Sequence, residues 1–377
     1  MILKKSLTSV RFMIITAFLI RLLFLKQHAV WFDEQASLFV SRQPINKLFS
    51  VTAQDTHPPL YFLILKAWMS ISSQIYFLRL LSLLAGVATI TVNYYVLRQL
   101  VGNSTAYQAT WLLTLSPLHV YYSTEIRMYA LLLFESLIII FLFLKYVKTG
   151  RFLYLPWVLV SEVIALYTHY YAVLIPIAIT SYLFIRPIVN RRLVYYWSII
   201  QLMVAILFAP WLLSIVSKTA TGCWCFPPQL GIPTLLAAFA VGSVGIVTFK
   251  DIIFMAPLWI IIIFIVVSIW VTLLALLGMK RARFPTLLSA LFFIPLILIT
   301  IVSVFFPFFS PRAFIIILPI YYVWVSWGLT FLKQRVATIV LFIFFILILM
   351  IQLTQPFFRD VSLPKKNLQL DRLEFMR

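Results

Sequence analysis

Residues 31–40 read WFDEQASLFV and place two acids, Asp33 and Glu34, side by side just after the first apolar stretch. A third acid, Asp55, follows in DTHPPLYF, residues 55–62. The clustering is informative because carboxylates are scarce: ten in 377 residues, against 30 lysines and arginines. Around this stretch the chain is oily, with 63% hydrophobic and 11% charged residues and a mean hydropathy of +1.05. A soluble domain has roughly 45–50% apolar and 25% charged residues. No single globular core buries so much apolar surface, so lipid must solvate most of it. Composition therefore specifies an all-α polytopic membrane protein.

The net charge of +20 would suggest a nucleic-acid partner in a soluble protein, but its distribution excludes one. Lys4/Lys5/Arg11, Lys145/Lys148/Arg151, Arg186/Arg191/Arg192, Lys280/Arg281/Arg283 and Lys333/Arg335 all sit at the ends of apolar spans, in connections without an acid. That is the pattern of cytoplasmic loops. The basic N-terminus followed by an apolar run shows no small-residue cleavage site before Trp31, which predicts an uncleaved first helix. Cys223 and Cys225 flank Trp224. A bridge across one residue would be strained and two thiols are a weak metal signal, so they read as unpaired interfacial cysteines.

Apolar spans fall near 7–26, 78–98, 104–122, 128–145, 153–171, 172–188, 194–215, 256–278, 285–307, 313–332 and 336–353, about eleven helices at roughly 17–25 residues each. A cytoplasmic N-terminus puts every basic run inside. Asp33, Glu34, Asp55, Glu125 and Asp251 then lie outside, together with a short tail, 354–377. Residues 60–72, interrupted by Lys66, and 231–249 do not fit as spans without inverting later loops; they read as interfacial or re-entrant segments. The expected organisation is a transmembrane body, 1–353, whose first extracytoplasmic loop, 27–77, carries interfacial helices.

If residues 31–40 are helical, Asp33 and Glu34 point about 100° apart and cannot share one task. His57, Pro58 and Pro59 follow in the same loop, the prolines fixing the turn into the next helix. In YYSTEIRMYA, residues 121–130, Tyr121, Glu125 and Tyr129 would share one helical face, with Tyr122 alongside. Arg127 adds a cation near the membrane, which usually marks an anionic ligand or a partner carboxylate. Arg21, Arg79 in FLRLLS and Arg312 in FSPRAF stand at outer span ends; four such arginines around a carboxylate loop suggest a phosphate site. In SEVIALYTHYYA, residues 161–172, Glu162 and His169 are seven apart and would share a face. Tyr167, Tyr170 and Tyr171 there form a substrate wall or an interfacial aromatic belt.

Taken in order, the DE loop, the HPPLY element, the arginine-bearing second span, YYSTEIRMYA and LYTHYY resemble the bacterial membrane glycosyltransferases of family 39. That family is related to protein O-mannosyltransferases and lipid A aminoarabinose transferases of the GT-C fold. The resemblance covers about the first 175 residues; beyond them it rests on hydropathy, PWLL at 210–213 and FSPRAF. It implies a sugar donor linked to polyprenyl phosphate, a hydroxyl acceptor on protein, lipid or glycan, and a site on the extracytoplasmic face of the cell membrane. Asp33 matches the catalytic aspartate and Glu34 its neighbour, while Gln35 replaces the usual alanine. Arg79 and Arg127 match arginines of the family and, with Arg312, are expected at the donor phosphate. Asp55, His57, Tyr121, Tyr122, Glu125, Tyr129, His169 and Tyr170 are expected to position sugar or acceptor. No cofactor is required; a divalent metal could be held by Asp33, Glu34, Asp55 and His57. A transporter or lipid flippase is the alternative, but it would place ionisable groups at the bilayer midplane and show repeats.

Overall fold

The computed structural model describes residues 2–25, 30–54, 57–185, 191–219, 258–281, 286–305 and 311–332, with isolated positions at 339, 342, 343 and 346. Among these residues the chain is helical, without strands. Fourteen α-helices follow one another: α1 (Ile2–Phe24), α2 (Phe32–Arg42), α3 (Ile45–Thr52), α4 (Leu60–Met69), α5 (Ile75–Val101), α6 (Asn103–Thr114), α7 (Pro117–Tyr122), α8 (Tyr129–Thr149), α9 (Tyr154–Thr168), α10 (Leu174–Ile185), α11 (Arg191–Thr219), α12 (Leu258–Met279), α13 (Leu287–Phe305) and α14 (Leu318–Leu329). Short 3₁₀ turns cover Tyr170–Val173 and Pro311–Ile316. Ile75–Val101, Tyr129–Thr149 and Arg191–Ser214 are each long and apolar enough to cross a membrane. The segments expected at 231–249 and 354–377, the cysteines and Asp55 lie outside the described residues, as does most of 336–353.

α5 is a hub that packs on α1, α6 and α8, while α14 is enclosed by α6 and α12. Tyr321, Tyr322 and Trp324 of α14 are fully buried, and Trp324 stacks with Phe292 and Phe293 of α13 at 4.3 and 5.2 Å between ring centroids. α12 and α14 meet backbone to backbone. A Cβ on Gly328 would stand 2.0 Å from the Leu274 carbonyl oxygen, and one on Gly278 would stand 1.9 Å from that of Trp324. Without a hydrophobic force between helices in lipid, such small-residue contacts supply the close approach. Elsewhere apolar side chains turn outward, Leu202, Ile206 and Leu213 of α11 among them. In a chain of this composition those are lipid-facing positions.

Between α1 and α5 the expected outer loop holds α2, α3 and α4. Lys66, the cation that interrupts residues 60–72, donates through Nζ to the carbonyls of Ser41 (3.3 Å) and Gln43 (2.9 Å). It thereby caps the C-terminus of α2, where unsatisfied carbonyls favour a cation.

Two expected helical faces are broken. The span expected at 104–122 stops at Thr114, because Pro117 disfavours helix at the preceding residue and Ser116 starts a new cap; the Ser116 hydroxyl accepts the His119 N–H at 3.3 Å. Residues 123–128 are then non-helical, so Tyr121, Glu125 and Tyr129 do not share one face. Likewise α9 ends at Thr168 and His169 is extended, with φ −161°. Glu162 therefore does not line up with His169; its carboxylate accepts from Gln201 Nε2 of α11 at 3.2 and 2.9 Å.

Candidate active site

The first turn of α2 sends its two acids in different directions. Glu34 turns inward and is fully buried. Its Oε1 accepts from Arg79 Nε at 2.9 Å and from the Ile126 N–H at 2.9 Å. Its Oε2 accepts from Arg79 Nη2 at 2.8 Å and, reaching back to the helix start, from the Trp31 N–H at 3.4 Å. Arg79 also donates through Nη1 to the Leu25 carbonyl at the end of α1, 3.0 Å away. One carboxylate thus joins α2, α5 and the irregular segment 123–128. Arg79, expected at the donor phosphate, is enclosed with Glu34, and both Glu34 oxygens are engaged by Arg79 and by backbone amides.

Asp33 turns the other way. Its Oδ2 pairs with Arg312 Nη2 at 2.5 Å, with 17% of the Asp33 and 25% of the Arg312 side chain still exposed. Arg312 comes from the 3₁₀ turn Pro311–Ile316. It donates through Nη1 to the Tyr129 hydroxyl at 3.1 Å and lies 5.6 Å from the ring centroids of both Trp31 and Tyr129. Arg127, from the irregular segment, donates through Nη1 to the Asp33 carbonyl (3.2 Å) and the Ser37 hydroxyl (3.1 Å). Its Nη2 donates to His57 Nε2 at 3.2 Å; a guanidinium can only donate, so the His57 proton sits on Nδ1. Burial opposes both charges, but Tyr129 and Asp33 outweigh it and hold Arg127 and Arg312 above the ordinary arginine value. Both remain cations at any working pH.

The aromatic side chains cluster in space although not on one helix face. Tyr121 and Tyr122 lie 5.1 Å apart, Tyr122 and Tyr129 4.8 Å, and Tyr129 and His169 5.5 Å. His169 stands edge-on to His57 at 5.3 Å, with its Nδ1 accepting the Tyr171 N–H at 3.0 Å. Tyr170 is engaged elsewhere, its hydroxyl accepting from Trp211 Nε1 of α11 at 3.1 Å. Glu125 is buried in the irregular segment. Arg21, expected with the other outward arginines, is fully buried against Thr114 and His119 rather than facing Asp33.

Three further residues contribute that the motifs did not single out: Trp31 as a stacking plane, Ser37 as a partner of Arg127, and Ser82, whose hydroxyl donates to the Arg127 carbonyl at 3.1 Å. Ser37 was legible in principle, since it stands one helical turn beyond Asp33. Of the expected metal set, Glu34 is spent on Arg79 and Ile126, and Asp55 lies outside the described residues. Among the described residues no group of three His, Cys, Asp or Glu side chains is placed to hold a metal ion. What the geometry offers is a largely buried carboxylate paired with Arg312, with Arg127 on the backbone carbonyl of the same residue and an aromatic and imidazole wall beside it.

Residues 56–213, which contribute Arg127, His57, Tyr129 and His169, match the family model described as dolichyl-phosphate-mannose-protein mannosyltransferase. No curated protein matches the sequence. Among solved structures, ArnT from Cupriavidus metallidurans in the apo state aligns with a TM-score of 0.57 and 14% identity, over 87% of this chain and 60% of ArnT. The same protein bound to undecaprenyl phosphate aligns with a TM-score of 0.56 and 14% identity, over 86% of this chain and 61% of its own. The oligosaccharyltransferase of Archaeoglobus fulgidus, in complex with Zn and sulfate, aligns with a TM-score of 0.50 and 13% identity, over 79% of this chain and 44% of that one. The chain thus spans about 60% of the ArnT chains it resembles. Over 56–213 the chain is thus similar to the dolichyl-phosphate-mannose-protein mannosyltransferases, and it shares its fold with ArnT.

Proposed function

We propose that this protein is a membrane glycosyltransferase that moves a sugar from a polyprenyl-phosphate-linked donor to a hydroxyl acceptor on the extracytoplasmic face of the cell membrane. The observation that carries the reading is the Asp33–Arg312 pair at 2.5 Å beside Arg127. It combines a proton acceptor and two phosphate-matching cations in one partly enclosed site. A donor with a lipid tail must react where the tail can stay in the bilayer, and ArnT, which shares the fold, was solved bound to undecaprenyl phosphate.

In this mechanism Asp33 takes the proton of the acceptor hydroxyl as that oxygen bonds to the anomeric carbon. The bond from the anomeric carbon to the phosphate oxygen breaks in the same displacement, which inverts the centre. The electron pair leaves with polyprenyl phosphate. Arg127 and Arg312 face the negative charge that develops on that oxygen, Arg312 exchanging part of its contact with Asp33 for the phosphate. Tyr129, His57 and His169 hold the sugar. Glu34 and Arg79 act behind the site by fixing the directions of Asp33 and Arg127. The positive-inside pattern supports about eleven spans with the N-terminus in the cytoplasm, and α2 to α4 lying along the outer interface.

The test uses purified protein in nanodiscs with radiolabelled undecaprenyl-phosphate mannose, glucose and aminoarabinose, and envelope membranes of the deletion strain as acceptor. Wild type is expected to transfer label from one of these donors and Asp33→Asn to transfer none above background. Equal transfer by both would dismiss Asp33 as the base, and no transfer by wild type from any donor would dismiss the function.

A further inference from the structure

Arg21 is a buried charge that the mechanism above does not use. Its side chain is fully enclosed. Its Nη1 donates to the carbonyls of Ala17 (3.0 Å) and Thr114 (3.4 Å), and its Nη2 to His119 Nδ1 (2.8 Å). None of these partners is anionic. A guanidinium held in a membrane body without a counter-ion is costly, and it marks a function more often than an accident.

The partners of Arg21 indicate that function. Thr114 is the last residue of α6 and His119 the centre of α7, so the guanidinium bridges the corner where the expected continuous helix is broken. Because Arg21 can only donate, Nδ1 of His119 is the acceptor and the ring is neutral. The His119 carbonyl in turn accepts from the Ser123 N–H at 3.1 Å and the Ser123 hydroxyl at 2.5 Å. Ser123 is pressed onto α5 at Gly86, where a Cβ would come within 2.2 Å of the Ser123 Oγ and 3.4 Å of Arg21 Nε. Four residues later the Arg127 carbonyl is held by Ser82, one turn from Gly86 on the same face of α5. The segment 123–127 is therefore pinned to one stripe of α5 at both ends, by Arg21, His119 and Gly86 at its start and by Ser82 and Glu34 at its end.

We infer that Arg21 and His119 are positioning residues for the phosphate-facing Arg127: they set the α6–α7 corner so that segment 123–127 delivers its guanidinium to Asp33 and Ser37. The inference rests on the proposed function. A displacement of about 1 Å far from the chemistry can lower a rate by roughly 10²-fold, so the loss should be of that order.

The experiment compares wild type with Arg21→Met, His119→Leu, His119→Asn, Arg127→Lys and the double variant Arg21→Met/Arg127→Lys in the nanodisc assay, reading kcat and KM for the donor. Arg21→Met and His119→Leu are expected to lose about 10²-fold in kcat/KM. His119→Asn keeps an acceptor near the position of Nδ1 and is expected to recover most of that loss. The double variant is expected to be no worse than Arg127→Lys alone, because both changes act through the same guanidinium. Multiplying losses, or wild-type kcat/KM in Arg21→Met, would overturn the inference while leaving the proposed function standing. Should Arg21→Met not fold, the His119→Asn and His119→Leu pair decides: equal activity in the two overturns it. If wild type itself transfers nothing, the proposed function fails, and binding of undecaprenyl phosphate by native mass spectrometry takes over as readout. Weaker binding in His119→Leu than in His119→Asn then supports the positioning role, and equal binding refutes it.

Discussion

Removing the Glu34 charge should cost this protein more stability than removing that of its neighbour Asp33. Glu34 is fully buried and Arg79 nearly so, joined by two charge-assisted bonds of 2.9 and 2.8 Å. Breaking a buried pair by deleting one partner leaves the other charge desolvated, at a cost of about 3–5 kcal/mol. Asp33 and Arg312 keep 17% and 25% exposure, so the charge left after removing one partner retains some hydration and the loss is smaller than for the enclosed Glu34–Arg79 pair. Glu34→Gln keeps one acceptor oxygen, enough for the Ile126 amide, and turns an NH2 toward Arg79 Nη2 and the Trp31 amide, so its loss combines the Arg79 pairing with the Trp31 bond. Arg79→Met should cost a similar amount. The double variant should cost less than the sum, because no buried charge remains uncompensated.

Reversible unfolding by added SDS in mixed micelles, followed by circular dichroism, reads these differences. At about 1.4 kcal/mol per factor of ten, each single variant should shift the folding equilibrium by roughly 10²-fold or more, and Asp33→Asn by less. Strict additivity of Glu34→Gln and Arg79→Met, or a Glu34→Gln loss no larger than that of Asp33→Asn, would refute the division of labour between the adjacent acids.

Two other perturbations follow from the same geometry. Arg312→Gln removes a cation from the leaving group and should lower kcat by about 10²–10³-fold while unfolding close to wild type; Arg312→Lys should recover only part of kcat, because an ammonium cannot reach Asp33 and Tyr129 in fork geometry, and steady-state kinetics with the labelled donor measure both. Gly328→Val forces side-chain atoms onto the Leu274 carbonyl, 2.0 Å from the position of a new Cβ; overpacking of this kind costs about 1–3 kcal/mol or more, seen as earlier SDS unfolding.

The helical membrane class was legible because it rests on composition, which does not depend on tertiary contacts. The interruption of 104–122 was also written in the chain, since Pro117 and Ser116 are a stop and a cap; apolar continuity over the window hid it. The non-helical segment 123–128 has no such mark. Residues 123–128, STEIRM, contain neither glycine nor proline, and they leave the helix where Glu34 takes the Ile126 N–H and Ser82 the Arg127 carbonyl from outside. The end of α9 at Thr168 is similar: YTHYY has no breaker, and the turn is held by His169 Nδ1 accepting the Tyr171 amide. Irregular backbone inside a membrane body survives only where protein partners replace the helical bonds. For segment 123–128 those partners lie 45 and 92 residues away in sequence, beyond the reach of any local pattern.

The four arginines show the same limit from the side of charge. Arg21, Arg79, Arg127 and Arg312 all stand at span ends of one polarity, and nothing local separates them. What separates them is the group each meets across a helix interface. Arg79 meets an acid whose remaining lone pairs go to backbone amides, so its charge is consumed within the scaffold. Arg21 meets carbonyls and an imidazole. Arg127 and Arg312 instead meet Tyr129, His57 and Asp33, whose side chain keeps 17% exposure. The adjacency of Asp33 and Glu34 is what makes this sorting possible. Because neighbours on a helix diverge by about 100°, anchoring Glu34 in the core necessarily aims Asp33 out of it. Moving the anchor by one position would send the proton acceptor into the scaffold and take from Arg312 its carboxylate partner.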